Sequence, residues 1–324
     1  MSFLETRRVP VPILVDTDLG SDCDDAGALA VLHALADAGE AEIAACLYSS
    51  GRNRYGPGCL AAINAYYGRP DVPIGTAAES DLGDPRNDFL EPIATNRALY
   101  GHGASERGEF PSLLTVYRRV LAALPDGSAR IVSIGHTRGL HDLLFSGPDG
   151  ESPLSGHELI RRKVDVWVAM GGSFPVEEKA GWNFGRNGAA AYSASLVEGW
   201  PTPIVFSGYE IGLPLRTGPG LRETPPGNPV RESYRLWENA LETGRSSWDQ
   251  TAILCAVRGA GEYWSLRRGR CRVDAGGRTQ WGDAPDGPHA HLVPKMASES
   301  LCREIEELMC RPPRLRAGTT GPAR

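Results

Sequence analysis

Short apolar runs rich in Val and Ile alternate along this chain with segments whose apolar residues recur at helical spacing. The runs at 11–16, 41–47, 130–134, 164–169 and 203–206 predict strands, and the periodic segments at 25–38, 57–67, 112–124, 188–198, 229–242, 248–257 and 297–309 predict helices. The strand runs show little polar alternation, which is the mark of strands covered on both faces. Strands of that kind alternating with helices predict an α/β protein, with a mostly parallel central sheet flanked by helices in the manner of a Rossmann-like open sheet.

Two stretches break the pattern. Residues 75–111 and 171–187 are rich in Gly, Asp, Asn and Pro, and long loops of this kind are usually lids or binding loops. The segment 262–293 carries Tyr263, Trp264, Val273 and Trp281 between Gly-rich turns. It predicts short β segments of the sort that form a small antiparallel appendage. Beyond residue 310 periodicity is lost, and 311–324 predicts a disordered tail. A single catalytic domain over 1–310 fits this organisation.

Composition narrows the function classes. The chain has 324 residues and a formal charge of -6, with no basic stripe to neutralise phosphates, which argues against general nucleic-acid binding. There is no apolar run long enough to span a membrane. Met1 to Arg8 are mostly polar or charged and lack an apolar signal core, so the expectation is a cytoplasmic protein. The seven cysteines (23, 46, 59, 255, 271, 302 and 310) form no CxxC and fit free thiols in a reducing compartment.

The densest chemistry lies where the first strand meets the first helix. Asp16, Asp18, Asp22, Asp24 and Asp25 fall within ten residues. Carboxylates gathered so closely repel one another, and a hard divalent cation held by oxygen ligands is a direct compensation. Part of the cluster also suits capping of the following helix and its dipole. Asp16 and Asp18 stand immediately after a strand, where α/β proteins build their sites. No GxGxxG follows that strand, so a dinucleotide-binding turn is not supported. Gly20 and Ser21 do not fit an EF-hand loop. A haloacid-dehalogenase-type phosphatase would need a later acid pair, which Ile134-Gly135 and Met170-Gly171-Gly172 do not offer.

The strand ending in Asp16-Thr17-Asp18-Leu19-Gly20, followed by Asp24-Asp25-Ala26 and a helix, resembles the opening of the calcium-dependent nucleoside hydrolases of the inosine/uridine-preferring type. Later segments agree in order: Arg130 to Gly135, Val168 to Gly172, Trp182-Asn183-Phe184 with Ala189-Ala190, and Ser247-Trp248-Asp249-Gln250. The resemblance covers roughly residues 11 to 255. It implies a nucleoside-hydrolase-like fold and hydrolysis of an N-glycosidic bond, with Ca2+ as cofactor, a small nucleoside-like substrate, and a homodimer or homotetramer.

Residue by residue, it implies Asp18, Asp25, the backbone carbonyl of Ile134 and Asp249 as metal ligands. Asp24 would be the catalytic base that takes the proton of a metal-bound water, with Asp22 as the alternative because the spacing differs from the family's by two residues. Asp16 would support the loop or contact the sugar, and Asn183 and Asn53 would bind substrate. Trp182 and Trp248 would stack on the base. Three departures limit the carry-over. Gly181 stands where the family usually has a glutamate near the ribose 5′ end. Together with Lys179 and Arg186 in the same loop it predicts a modified 5′ end, although both cations also read as solvated loop charges. Trp248 stands where many members have a histidine, and an indole N–H is no acid at neutral pH. His102 and His289 are weaker alternatives. The upstream asparagine of the ribose loop is replaced around Phe174-Pro175-Val176. A calcium- and ribose-binding protein that has lost turnover therefore stays open as the alternative.

Overall fold

The computed structural model describes Leu4 and residues 10–176 and 178–314. The expectations for the N-terminal stretch, apart from Leu4, and for the tail beyond Arg314 lie outside the described residues. In chain order the strands are β1 (Val11–Thr17), β2 (Ala41–Tyr48), β3 (Ile74–Thr76), β4 (Ala129–Ser133), β5 (Val164–Met170), β6 (Ile204–Ser207), β7 (Arg216–Thr217), β8 (Arg245–Ser246), β9 (Trp264–Val273), β10 (Thr279–Asp283) and β11 (His289–Pro294). Nine of them form one sheet in the order β10-β9-β11-β6-β5-β4-β1-β2-β3, and β7 pairs with β8 in a separate ribbon. The run from β11 through β6, β5, β4, β1 and β2 to β3 is parallel; β9 is antiparallel to both β10 and β11. This is the expected α/β architecture, a mostly parallel central sheet flanked by helices.

The apolar runs fold this way because both faces of the central strands are covered. In β1, Ile13 and Val15 join the core beneath helices Asp24–Asp37, Trp248–Arg258 and Ser298–Met309. Leu14 points the other way, into the core beneath helices Leu113–Ala123, Arg138–Leu144, Gly156–Lys163 and Ala190–Gly199. Side-chain alternation along a strand thus splits one apolar run between two cores.

The structure differs from the sequence expectations in several places, helix Arg138–Leu144 among them. The helix expected over 229–242 ends at Leu236, because Glu238 and Asn239 take left-handed backbone angles (φ 40° and 60°), and a short helix Ala240–Thr243 follows. Edge strand β3 lies at the edge of the 75–111 stretch; three residues are too short to show a period. Helix Gly156–Lys163 was missed although it opens with a capping box, the Ser155 hydroxyl meeting the Glu158 N–H while the Glu158 carboxylate reaches back. Finally, β9, β10 and β11 extend the main sheet, since β11 pairs in parallel with β6 and its Leu292 is buried in the main core. Leu292→Ala is accordingly expected to cost roughly 2–5 kcal/mol and to lower the midpoint of one global unfolding transition. A separate early transition in calorimetry, with the main midpoint unmoved, would show that this segment stands apart.

Candidate active site

The chain lays β2 and β3 on one side of β1 and then crosses to build β4, β5 and β6 on the other. At such a switch point the loops leaving adjacent strands diverge and open a crevice at the strands' carboxyl ends. Asp18 stands just beyond β1 and Ile134 just beyond β4. The two loops approach closely at Gly135, where a Cβ would lie 2.3 Å from the Asp18 nitrogen; only glycine permits that contact.

Two helix N-termini deliver further carboxylates to the same crevice. Asp24 and Asp25 occupy the first turn of helix Asp24–Asp37, and Asp249 the first turn of helix Trp248–Arg258. One oxygen from each of the three lies within 4.8 Å of the others, and all three residues are buried. At that separation each ionised pair repels by about 3 kcal/mol at an effective dielectric near 20. Burial is the first cause holding the carboxyls of Asp24, Asp25 and Asp249 well above the usual range, and the neighbouring aspartates add to it. The fixed partners are few: the Thr17 hydroxyl donates to Asp25 Oδ1, and the Asp249 N–H donates to Asp24 Oδ2 at 3.3 Å. Asp18 is also raised, by burial first, and this is eased by His136, Ser21 and Trp182. Its Oδ2 lies 3.1 Å from His136 Nε2 yet has no hydrogen-bond partner. A buried carboxylate oxygen with only the His136 ring near it and no formed hydrogen bond, beside three crowded carboxylates, is what a cation would satisfy.

These groups line a cavity of about 310 Å³. Asp18, Asp24, Asp25, Asp249, Ile134, Asn183, Trp182 and Trp248 all reach it. Asn183 Nδ2 donates to the carbonyl oxygens of Ile134 and Met170, both at 3.1 Å. Trp182 is 40% exposed and stands at the mouth. The Trp248 ring stacks on Tyr209 at 5.3 Å, and its indole N–H is bound to the Tyr209 carbonyl at 2.9 Å. Asp22 lines the cavity too, but its carboxylate is gripped by Arg245, with Nε 2.9 Å from Oδ2, and by the Cys23 N–H at 2.6 Å. With those partners Asp22 is the less available of the two candidate bases.

Two expected substrate contacts lie elsewhere. Alternation along β1 turns Asp16 toward the opposite core, where its Oδ2 accepts the Tyr117 hydroxyl at 2.7 Å; burial pushes its carboxyl up to about 7. Asn53 accepts from the Tyr55 N–H and donates to the Arg86 carbonyl, both at 2.9 Å, so it braces a loop and does not line the cavity. Lys179 and Arg186 are exposed and outside the cavity; the cations on its wall are Arg86 and Arg245. His102 is bound to the Ala94 carbonyl and His289 to the Cys271 N–H, and neither lines the cavity. Sequence reasoning missed His136, Arg86, Tyr209, Trp237 and Arg245. His136 alone carried a local signal, two residues beyond a strand end at the switch point.

No family model matches the sequence, and no curated protein matches it. Solved structures do match its fold. A plant nucleoside hydrolase, PpNRh1, superposes with a TM-score of 0.64 at 18% identity, over 94% of this chain and 100% of that one. A purine-preferring ribonucleoside hydrolase from Gardnerella vaginalis gives 0.66 at 16% identity, over 92% and 99%. The type III effector protein XopQ, solved with adenosine diphosphate ribose, gives 0.67 at 14% identity, over 94% of each chain. This chain has the nucleoside-hydrolase fold.

The crowded carboxyls predict an unusual pH dependence. Each binds its proton more tightly in the folded protein than in the unfolded chain, so folding takes up protons. In chelator, their contribution to stability is complete below the ordinary value of 3.8 and is lost as pH rises above it through the raised folded values. The melting temperature in chelator is expected to fall across that window, and excess Ca2+ to raise it again at neutral pH. Superimposable curves with and without the ion would refute a cation site.

Proposed function

We propose that the chain hydrolyses the N-glycosidic bond of a ribonucleoside, or of a modified nucleoside or nucleotide, to free base and ribose or a 5′-modified ribose. The observation that carries this reading is the convergence of Asp18, Asp24, Asp25 and Asp249 at the switch point of a sheet with the nucleoside-hydrolase fold. The donor set fits a divalent cation, since it is all oxygen, deeply buried and under-satisfied. Asp18, Asp25, Asp249 and the Ile134 carbonyl would hold it, and Ca2+ suits such a set. When bound, the ion lowers the pKa of a water and orients a vicinal diol.

The rest falls to the protein's own side chains. Asp24 accepts the proton of the attacking water. Its Oδ2 is held by the Asp249 N–H, and burial raises its proton affinity above that of an ordinary carboxylate. Asn183 spends its Nδ2 on two carbonyls, which fixes the amide plane and leaves Oδ1 to accept a sugar hydroxyl. Positive charge building on the sugar as the bond breaks meets the carboxylates beneath it. The likeness to a protein solved with adenosine diphosphate ribose supports a 5′-substituted sugar as one form of substrate.

One observation favours the second reading, a calcium- and ribose-binding protein without turnover. The Trp248 indole N–H is committed to the Tyr209 carbonyl, and no histidine lines the cavity to protonate a leaving base. Base release from a nucleoside panel, with and without chelator, separates the readings. Turnover that is abolished by chelator is expected. Asp24→Asn should lower kcat about 10²–10⁴-fold while calorimetry still finds Ca2+ binding, whereas Asp25→Asn should weaken the binding itself. Ca2+ binding with no base released from any nucleoside would establish the second reading.

A further inference from the structure

We infer that Gly277 and Thr279, at the tip of the β9–β10 hairpin, are positioning residues for the candidate active site. From outside the cavity they clamp the loop after β5 near both its ends and so fix the place of Asn183. The inference rests on the reading of the cavity as a ribonucleoside site, in which Asn183 meets the sugar.

The loop that leaves β5 contributes Gly171, Gly172, Gly181, Trp182 and Asn183 to the cavity lining, whereas Gly277 and Thr279 do not reach it. One helical turn, Trp182–Gly185, carries Asn183. A single turn is too short to hold its own place and needs outside support.

The hairpin is built to give that support. β9 pairs with β11 over 264–269 and with β10 over 269–273, so the tip has left the β11 ladder behind. The turn at the tip is tied to itself. Asp274 Oδ1 accepts from the Gly276 and Arg278 N–H groups at 2.9 and 3.0 Å, and Arg278 Nε donates to Oδ2 at 2.9 Å.

Three contacts join this rigid tip to the loop. At the loop's start the Ser173 N–H donates to Thr279 Oγ1 at 3.3 Å, and a Cβ on Gly172 would stand 2.7 Å from Thr279 Cγ2. An antiparallel bridge then pairs Val176 with Gln280. At the loop's end a Cβ on Gly277, whose φ is 82°, would overlap Gly185 Cα and the Phe184 carbonyl oxygen. Those are backbone atoms that cannot rotate aside, so glycine alone lets the hairpin press on the turn that carries Asn183. The hairpin fixes the backbone, and the bonds from Asn183 Nδ2 to the Ile134 and Met170 carbonyls fix the amide. The sugar contact therefore depends on both, and a misplacement of about 1 Å is enough to lose it.

The test uses an Asp24→Asn background with Ca2+, where turnover does not interfere. The probe is whichever of inosine, adenosine, uridine and cytidine binds tightest, read by tryptophan fluorescence. Calorimetry reads Ca2+ affinity, and hydrogen exchange reads the peptides covering 171–176 and 182–185. Gly277→Ala and Thr279→Val, the second close in shape but lacking the hydroxyl, are each expected to weaken nucleoside binding roughly tenfold or more. Exchange in those peptides should quicken, with Ca2+ affinity held within twofold. Thr279→Ser, which keeps the hydroxyl, should stay within threefold of the parent. If Gly277→Ala does not fold, the contrast between Thr279→Val and Thr279→Ser still decides. Unchanged nucleoside affinity or unchanged exchange in either variant overturns the inference for that residue. An equal loss of Ca2+ affinity overturns it too, since that marks a general loosening of the fold. A parent protein that binds Ca2+ but none of the four nucleosides overturns the ribonucleoside reading and this inference with it.

Discussion

Repulsion among buried carboxylates is the constraint around which this molecule is arranged. Oxygens of Asp24, Asp25 and Asp249 lie within 4.8 Å of one another, and Asp18 joins them from the end of β1. Two helices point their positive N-terminal ends at the group, which offsets part of the charge. Thr17 and the Asp249 N–H supply isolated donors. These are too few for four acids, and the remainder of the compensation has to come from a cation or from retained protons. Asp22 is the exception, since it brings its own counter-ion in Arg245. That pairing commits the Asp22 carboxylate to Arg245, although its charge still raises the proton affinity of Asp24.

The fold meets this constraint by geometry. A parallel sheet that reverses direction at β1 opens a crevice between the β1 and β4 loops. Glycine at 135 lets those loops close to contact distance. Helix Trp248–Arg258, packed against helix Asp24–Asp37 on the same face, then brings Asp249 across more than 220 residues of sequence. The cavity that results is lined by Asn183, Met170, Gly171 and Gly172 and by Arg86, Trp237, Arg245 and Trp248.

Comparison of sequence with structure shows which kinds of information are local. The strands β1, β2, β4, β5 and β6 and the long helices were legible because apolar runs and helical periodicity report burial directly. The acidic cluster after β1 was legible because it is contiguous. Asp249 and Asn183 were reachable through short motifs in the right order. By contrast, β3 is too short to carry a period, and the break after Leu236 depends on the backbone turn at Glu238 and Asn239. Asn53 looked chemically apt, yet its amide is consumed by loop backbone, which no spacing could reveal.

The amino-acid sequence alone therefore determined the α/β class, the strand-loop-helix that concentrates aspartates, and the order of the segments that resemble nucleoside hydrolases. It could do so because hydrophobic period and contiguous charge are properties of neighbours along the chain. Tertiary structure alone decided which acids meet. It turned Asp16 to the far core, because a strand sends alternate side chains to opposite faces. It tied Asp22 to Arg245 and set His136 beside Asp18. It put Arg86 and Arg245, not Lys179 and Arg186, on the cavity wall. Each of these depends on the distance between residues remote in sequence, and only packing sets that distance.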